Sequence, residues 1–453
     1  MTVQTPDLSR DAHPRRRSAP ILLRSGFRSS APSPPFSSGH RYRCGLLLPG
    51  WIARKERQQK EGAWLLLPAS AAAGGSRRLN PPTMGLSRRF LNLIVDNRIQ
   101  GAKSLCCIDL RRHKLFNTTT PAPKGNALAL NKIRLPSPSL SMRTSDSDLK
   151  DQRVHFFPAA ADQRAFCLDQ LGRGFLLEAD TPRMVMMPCL HRPKLEPISL
   201  YIPCAGPDFD DLDGGGGGNL FIMDRRVAKP EPGGVSDGGG GFQFEALVYR
   251  KPSFSGFLSK TWHCDLLPPL PPHVGGSGHS CLEISSYGVV GSQVCISVDG
   301  DGTYCLAAVS NTYCWSEVGK WTLPFQGEVH YAPELKLWFG FTAEDQNLAA
   351  ADLSAMDSRS QPHLLNSWKE LEPPKGWQQV QDPQLVSLGS GMFCIGRFFR
   401  TDMDDCQNVT VLTGVEVVRG VNVLPGTADL RMVKHKSLCH KSGCSEDTIT
   451  AVF

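Results

Sequence analysis

The sequence predicts an all-β fold: a β-propeller of five to seven four-stranded blades behind a disordered N-terminal extension. Three observations predict it. Short apolar runs recur about every ten residues, separated by turns bearing Gly, Pro or Asp. Gly (43) and Pro (35) are both frequent in a chain of 453 residues, which favours turns over helices. A Trp-bearing strand that runs into Leu-Pro or Glu-Pro returns at intervals of roughly 50 residues, the period of a propeller blade.

The first 83 residues stand apart. They carry 14 Lys and Arg against 4 Asp and Glu, with Arg15-Arg16-Arg17 and Arg77-Arg78 set among Ser and Pro. With no periodicity that would bury a face, residues 1–83 read as a disordered basic extension. An organelle transit peptide fits, as does a basic tail for nucleic acid or an import receptor. Translation from Met84 fits best, because strand patterning begins abruptly there, and the extension is left out of the fold. The rest of the chain holds 36 basic and 39 acidic residues. It makes no electrostatic case for nucleic acid, which is not expected as a partner.

The propeller-like domain is expected over residues 84–453. Its first unit holds FLNLIVD (Phe90–Asp96), SLCCIDL (Ser104–Leu110) and the trailing RRHKLFNTT. A polar linker, Pro136–Asp151, leads to VHFFPAA, RAFCLDQLG, RGFLLEAD and PRMVMMPCL. The third unit is PISLYIP, NLFIMDRR, FQFEALVYR and TWHCDLLPPLPP. Gly-rich insertions near 205–218 and 227–241 interrupt it and read as exposed loops. EISSYGVVG, SQVCISVDG, GTYCLAAVSN and YCWSEVGKWTLPF form the fourth unit. GEVHYAPELKLWFGFTA, LAAADLS and SWKELEPP form the fifth. The sixth runs from DPQLVSLGSGMFCIGRFFR through NVTVLTGVEVVRG and DLRMVKHKS to TITAVF.

The recurring strand ends are Trp262…Leu266-Leu267-Pro268, Trp315…Trp321-Thr322-Leu323-Pro324 and Trp368…Leu371-Glu372-Pro373. They resemble the kelch repeat, with Asp299-Gly300 standing where a kelch strand ends in Gly-Gly. These tryptophans, and the cysteines within apolar runs, are expected to pack between neighbouring blades. FLNLIVDNRIQGAKSLCCIDL, SYGVVGSQVCISVDGDGTYCL, WTLPFQGEVHYAPELKLWFGF and DPQLVSLGSGMFCIGRFF are similar to a plant family expanded in grasses and described as proteins of unknown function. The resemblance covers about residues 84–453. It implies no catalytic residue.

The cysteines number 15 and include no C-x-x-C. An odd count of cysteines inside apolar runs, without a secretory signal, points to free thiols in a reducing compartment. Cytoplasm or nucleus is expected, or an organelle if residues 1–83 are a transit peptide. Asn117-Thr118-Thr119 and Asn408-Val409-Thr410 match the glycosylation pattern, which has no meaning without export. No apolar run approaches the roughly 20 residues of a membrane helix, so no membrane contact is expected.

The motifs of chemistry are absent or incomplete. Gly275–His279 and Leu388–Met392 fail G-x-S-x-G. The strings at Gly172 and Gly300 lack the third glycine of a dinucleotide loop. His435, Cys439, His440 and Cys444 are zinc-type residues without zinc spacing and read as a solvated tail. Asp208–Gly215 lacks the ligand alternation of a calcium loop, and Asp299–Gly302 reads as a tight turn. His263, Cys264 and Asp265 are neighbours on a strand, so they point to alternate faces and cannot share a pocket.

No catalytic, cofactor-binding or metal residues are therefore assigned, and no cofactor is expected. The expected function is a non-catalytic, monomeric interaction platform with protein partners, its contacts carried by blade-end loops. The alternative is an enzyme with its site in the central channel. An apolar or narrow channel would favour the platform. Converging titratable side chains would favour the channel site.

Overall fold

In a computed structural model, described residues run from 86 to 453 without 98, 100, 118–129, 144–153, 160–163, 179–182, 204–217, 229–243, 251–259, 272, 275–280, 308–312, 357–358, 402–406, 421–428 and 444–446. The basic extension, the Asp208–Gly215 string and nearly all of both Gly-rich insertions lie outside the described residues.

The described chain is all strand and turn, ordered as six blades. Blade 1 takes β1 (Phe90–Asn97), β2 (Ala102–Asp109) and β4 (Leu140–Arg143). Blade 2 is β5 (His155–Pro158), β6 (Arg164–Leu168), β7 (Gly174–Glu178) and β8 (Arg183–Met186). Blade 3 is β9 (Pro197–Pro203), β10 (Gly218–Asp224), β12 (Glu245–Arg250) and β13 (Thr261–Leu266), with β11 (Arg226–Ala228) reaching to blade 4. Blade 4 is β14 (Cys281–Val290), β15 (Gln293–Val298), β16 (Gly302–Ala307) and β17 (Trp315–Gly319). Blade 5 is β18 (Gln326–Ala332), β19 (Leu337–Phe341), β20 (Leu348–Ala351) and β21 (Leu364–Trp368). Blade 6 is β22 (Trp377–Gly389), β23 (Met392–Thr401), β24 (Gln407–Arg419) and β25 (Leu430–Gly443), with β3 (Leu130–Lys132) added in parallel at its outer edge.

The last strand, β26 (Thr448–Val452), leaves blade 6 and pairs antiparallel with β1, as Leu93↔Val452 and Asp96↔Thr448. It is the innermost strand of blade 1. TITAVF, placed in the sixth unit by sequence, therefore belongs to the first. The outermost strand of that blade is Leu140–Arg143, inside the supposed linker. Residues 111–117, the described part of RRHKLFNTT, form no strand; Leu115 is a buried plug against blade 6, where a side chain on Gly414 would collide with the Leu115 carbonyl.

The central strands read as unbroken apolar runs because both of their faces are covered. Leu91, Leu93, Ile94 and Val95 are all buried. Each seam between blades is sealed by its own cluster. Ile94 and Phe453 of blade 1 meet Ala165 of blade 2. Phe166 joins blade 2 to Leu220 of blade 3, and Phe221 joins blade 3 to Ile296 of blade 4. Val290 meets Trp338, Phe339 meets Phe393, and Leu388 meets Leu93, which completes the ring. The tryptophans pack as expected: Trp262 stands edge-on to Phe166 of blade 2 and Trp315 edge-on to Phe244 of blade 3.

One cysteine expectation fails. The turn at Asp299-Gly300, with Gly300 at φ 69°, sets Cys295 directly opposite Cys305, and the two form a disulfide. Cys106, Cys167, Cys394 and Cys439 are free and buried, as small apolar residues are.

Truncating Ile449, 2% exposed on the closing strand, is expected to cost about 2–5 kcal/mol as Ile449→Ala. Removing residues 448–453 should abolish a single cooperative urea transition, because it bares β1 and the seam to blade 6. A truncated chain that unfolds like the full one would refute ring closure by β26.

Candidate functional site

All six inner strands, β26, β5, β9, β14, β18 and β22, line a central cavity of about 990 Å³. The wall differs around the ring. Blade 2 presents His155, Phe156 and Phe157 and blade 1 presents Lys103 and Phe453, while blades 4 to 6 present Tyr287, Glu328, His330 and Asp382. The channel is neither narrow nor wholly apolar.

Register brings the polar wall together. The parallel pairing of β14 and β18 sets Tyr287 opposite Glu328, and paired residues of a ladder project to one side. Gly288 permits the approach, since a side-chain carbon there would stand 2.9 Å from the Val329 carbonyl oxygen. Glu328 has His330 Nε2 at 3.9 Å and accepts no hydrogen bond from any described residue. Burial raises its carboxyl above the usual range, with His330 partly opposing. Burial, then the Glu328 charge, drives the Tyr287 phenol upward as well. Arg225 closes this wall, held by Asp382 at 3.2 Å and Glu283 at 3.9 Å. A carboxyl and a phenol side by side can receive and donate hydrogen bonds to a small polar molecule. The Glu328–His330 separation of 3.9 Å is longer than a hydrogen bond.

A second cluster lies at the seam of blades 2 and 3. Glu245 opens β12 and is fully buried. Its Oε1 accepts from Lys194 Nζ at 2.5 Å, and its Oε2 accepts from the His191 backbone N–H at 2.6 Å. His191 Nδ1 lies 2.8 Å from Oε2 and the Cys264 thiol 3.3 Å from it. Burial alone would raise this carboxyl; the Lys194 hydrogen bond, the His191 N–H and the Lys194 charge together hold it below the usual carboxylate range. Burial and the neighbouring carboxylate push the Cys264 thiol up to about 12. Cys106 is raised to about 11, and Cys167 and Cys394 to about 12, each first by burial. All four are thiols at neutral pH.

The residues singled out from the sequence do not form sites by themselves. His263 and Asp265 point away from Cys264: His263 Nε2 lies by Thr261, and Asp265 takes a two-pronged bond from Arg250 at 2.6 and 2.7 Å. Strand alternation set Cys264 on the face opposite His263 and Asp265. It gave no sign that Cys264 would meet His191 and Glu245 from other segments. His435 pairs with Glu416 at 3.1 Å, while Cys439 is buried against Phe399. His440 faces the Asp447 carbonyl at 3.0 Å. The segment is strand β25, not a solvated tail, and Cys444 is outside the described residues. Asp299–Gly302 is the turn expected of it, with Asp301 N–H donating to Val298 at 3.1 Å. Asn408 is buried and its amide donates to Thr448 at 3.2 Å, which hides that glycosylation match.

Two outcomes are expected. Lys194→Met strands a buried carboxylate and should cost about 3–5 kcal/mol. The wild-type contribution of Glu245, whose folded pKa is depressed, should be present above about pH 4.3 and vanish as acid protonates it. For Glu328 the sign is opposite: its folded pKa is raised, so its charge destabilises the fold increasingly above about pH 4.3. Glu328→Gln should therefore melt above the wild type at pH 7, with the gap closing in acid. A Glu328→Gln variant that melts lower at pH 7 would contradict an uncompensated carboxylate.

A family model described as "Protein of unknown function (DUF1668)" matches residues 88–440. No curated protein sequence matches the chain. Among solved structures, the fission yeast SREBP–SCAP binding domains align over 81% of this chain and 92% of theirs, at 10% identity and a TM-score of 0.31. The Cps50 (Swd1) β-propeller domain of Myceliophteria thermophila aligns over 82% and 99%, at 9% identity and a TM-score of 0.31. Apo AztD from Citrobacter koseri aligns over 78% and 99%, at 10% identity and a TM-score of 0.29. The fold here rests on the sheet order and the sealed seams.

Proposed function

The chain belongs to that family of unknown function, and we propose that it is a non-catalytic platform that binds a protein partner at the rim of its blades. The observation that carries this reading is the outer edge of blade 2. Met184 and Met186, two apart and so on one face of β8, are 50% and 76% exposed. Among the described residues β8 pairs with β7 alone, leaving its outer backbone groups open. An exposed strand edge with apolar side chains is a surface for adding an extended segment of a partner. Methionine suits such a surface, being flexible and polarizable.

A second reading, a site for a small polar molecule in the channel, is favoured by Tyr287 and Glu328. Titratable groups do converge on the wall of blades 4 to 6, and a carboxylate without a hydrogen bond suits a ligand that donates one, such as an amine or a hydroxyl compound.

The two readings separate in one experiment. The tagged chain is purified from its native tissue beside Met184→Lys/Met186→Lys and Glu328→Gln variants, and bound proteins are identified by mass spectrometry. The platform reading expects stoichiometric partners that the double Met variant loses and the Glu328 variant keeps. Partners lost only with Glu328→Gln, or no partner above background, would overturn it in favour of the channel.

A further inference from the structure

His191, Glu245 and Cys264 are brought together from the blade 2–3 connection, β12 and β13, so three different ligand chemistries meet at one point. Their ligand atoms lie 2.8 Å (His191 Nδ1 to Glu245 Oε2), 3.3 Å (Cys264 Sγ to Oε2) and 3.6 Å (Cys264 Sγ to Nδ1) apart. A tetrahedral zinc ion with ordinary bond lengths holds N and O about 3.3 Å apart and sulfur about 3.5 Å from either. Two edges of the triangle already match and the third needs to open by about half an ångström.

We propose that His191 Nδ1, Glu245 Oε2 and Cys264 Sγ bind a zinc-class divalent cation at the seam of blades 2 and 3, with a water in the fourth position. The mixed N, O and S set selects zinc over magnesium, calcium or manganese, which take oxygen ligands. The His191 side chain is 49% exposed while that of Glu245 is fully buried, so one side of the triangle opens to solvent and admits the ion and its water. Lys194 stays on Oε1, the oxygen facing away from the ion, and orients the carboxylate as an outer partner does.

The proton balance is complete. Binding forms the metal–sulfur bond and releases the Cys264 thiol proton to solvent. His191 binds through Nδ1 without its proton, which moves to Nε2 on the exposed side. Glu245 remains ionised. Without metal the thiolate would face the Glu245 carboxylate; with it, the two negative charges share a dication. The ion would tie the connection carrying His191 to β12 and β13 of blade 3.

The test uses the full chain, stripped with a chelator and confirmed as folded by circular dichroism. It is titrated with zinc and, in parallel, with cobalt(II), whose thiolate charge-transfer and visible bands report a tetrahedral sulfur-bearing site. One equivalent of metal and those bands are expected. Cys264→Ser should remove the charge-transfer band, and His191→Ala, at a half-exposed position, should weaken binding about 10–100-fold. A folded chain that takes up no metal would overturn the proposal. So would one equivalent bound with unchanged affinity and spectrum by both variants, because the ion would then sit elsewhere.

Discussion

The ring depends on one constraint: a blade with two apolar faces can bury both only between two neighbours. Leu93 and Val95 in blade 1 lie against blade 6, while Ile94 faces blade 2, and the same division repeats at every seam. A row of such sheets leaves two apolar faces bare at its ends. Closing the row removes both, and β26 holds the closure by joining the C-terminal strand to the N-terminal blade. Water exclusion from six seams therefore stabilises the fold more than any single sheet does.

Polar groups in the seams are arranged around that constraint. Glu245 with Lys194, and Glu370 with Arg397, are buried ion pairs that join a connecting segment to the following blade. Taking such charges out of water costs more than an exposed pair returns, so each pair is tied into further hydrogen bonds. The Glu370 partner, Arg397, also donates to the Gln346 carbonyl at 2.8 Å. Single bonds mark other seams: Trp315 Nε1 donates to the Pro268 carbonyl and Trp338 Nε1 to that of Val289, both at 2.9 Å. A hydrogen bond has direction where apolar contact has none. These bonds fix how each connection leaves one blade and enters the next.

The same geometry makes the channel. Inner strands run side by side around the axis, so residues distant in sequence share one wall. Tyr287 and Glu328 belong to different blades and touch the same cavity because β14 and β18 pair in parallel. The Glu328 carboxylate there is 34% exposed and has only His330 beside it at 3.9 Å, in contrast to the fully buried and hydrogen-bonded Glu245. An uncompensated charge facing a cavity is a local cost to stability, of the kind retained where a surface has to meet something else.

Much of the architecture was legible in the chain. Apolar runs of five to ten residues with turns between them gave blades 2, 3 and 4 strand by strand, because alternation and turn chemistry are local properties. The recurring Trp262 and Trp315 marked seams correctly, since a large flat side chain at a fixed place in a repeat has the same neighbour each time. The partner of TITAVF and the meeting of His191, Glu245 and Cys264 were decided by tertiary structure alone. Each depends on which strand lies opposite which. Register is set by the sum of many contacts across the ring, and no short stretch of sequence carries that sum.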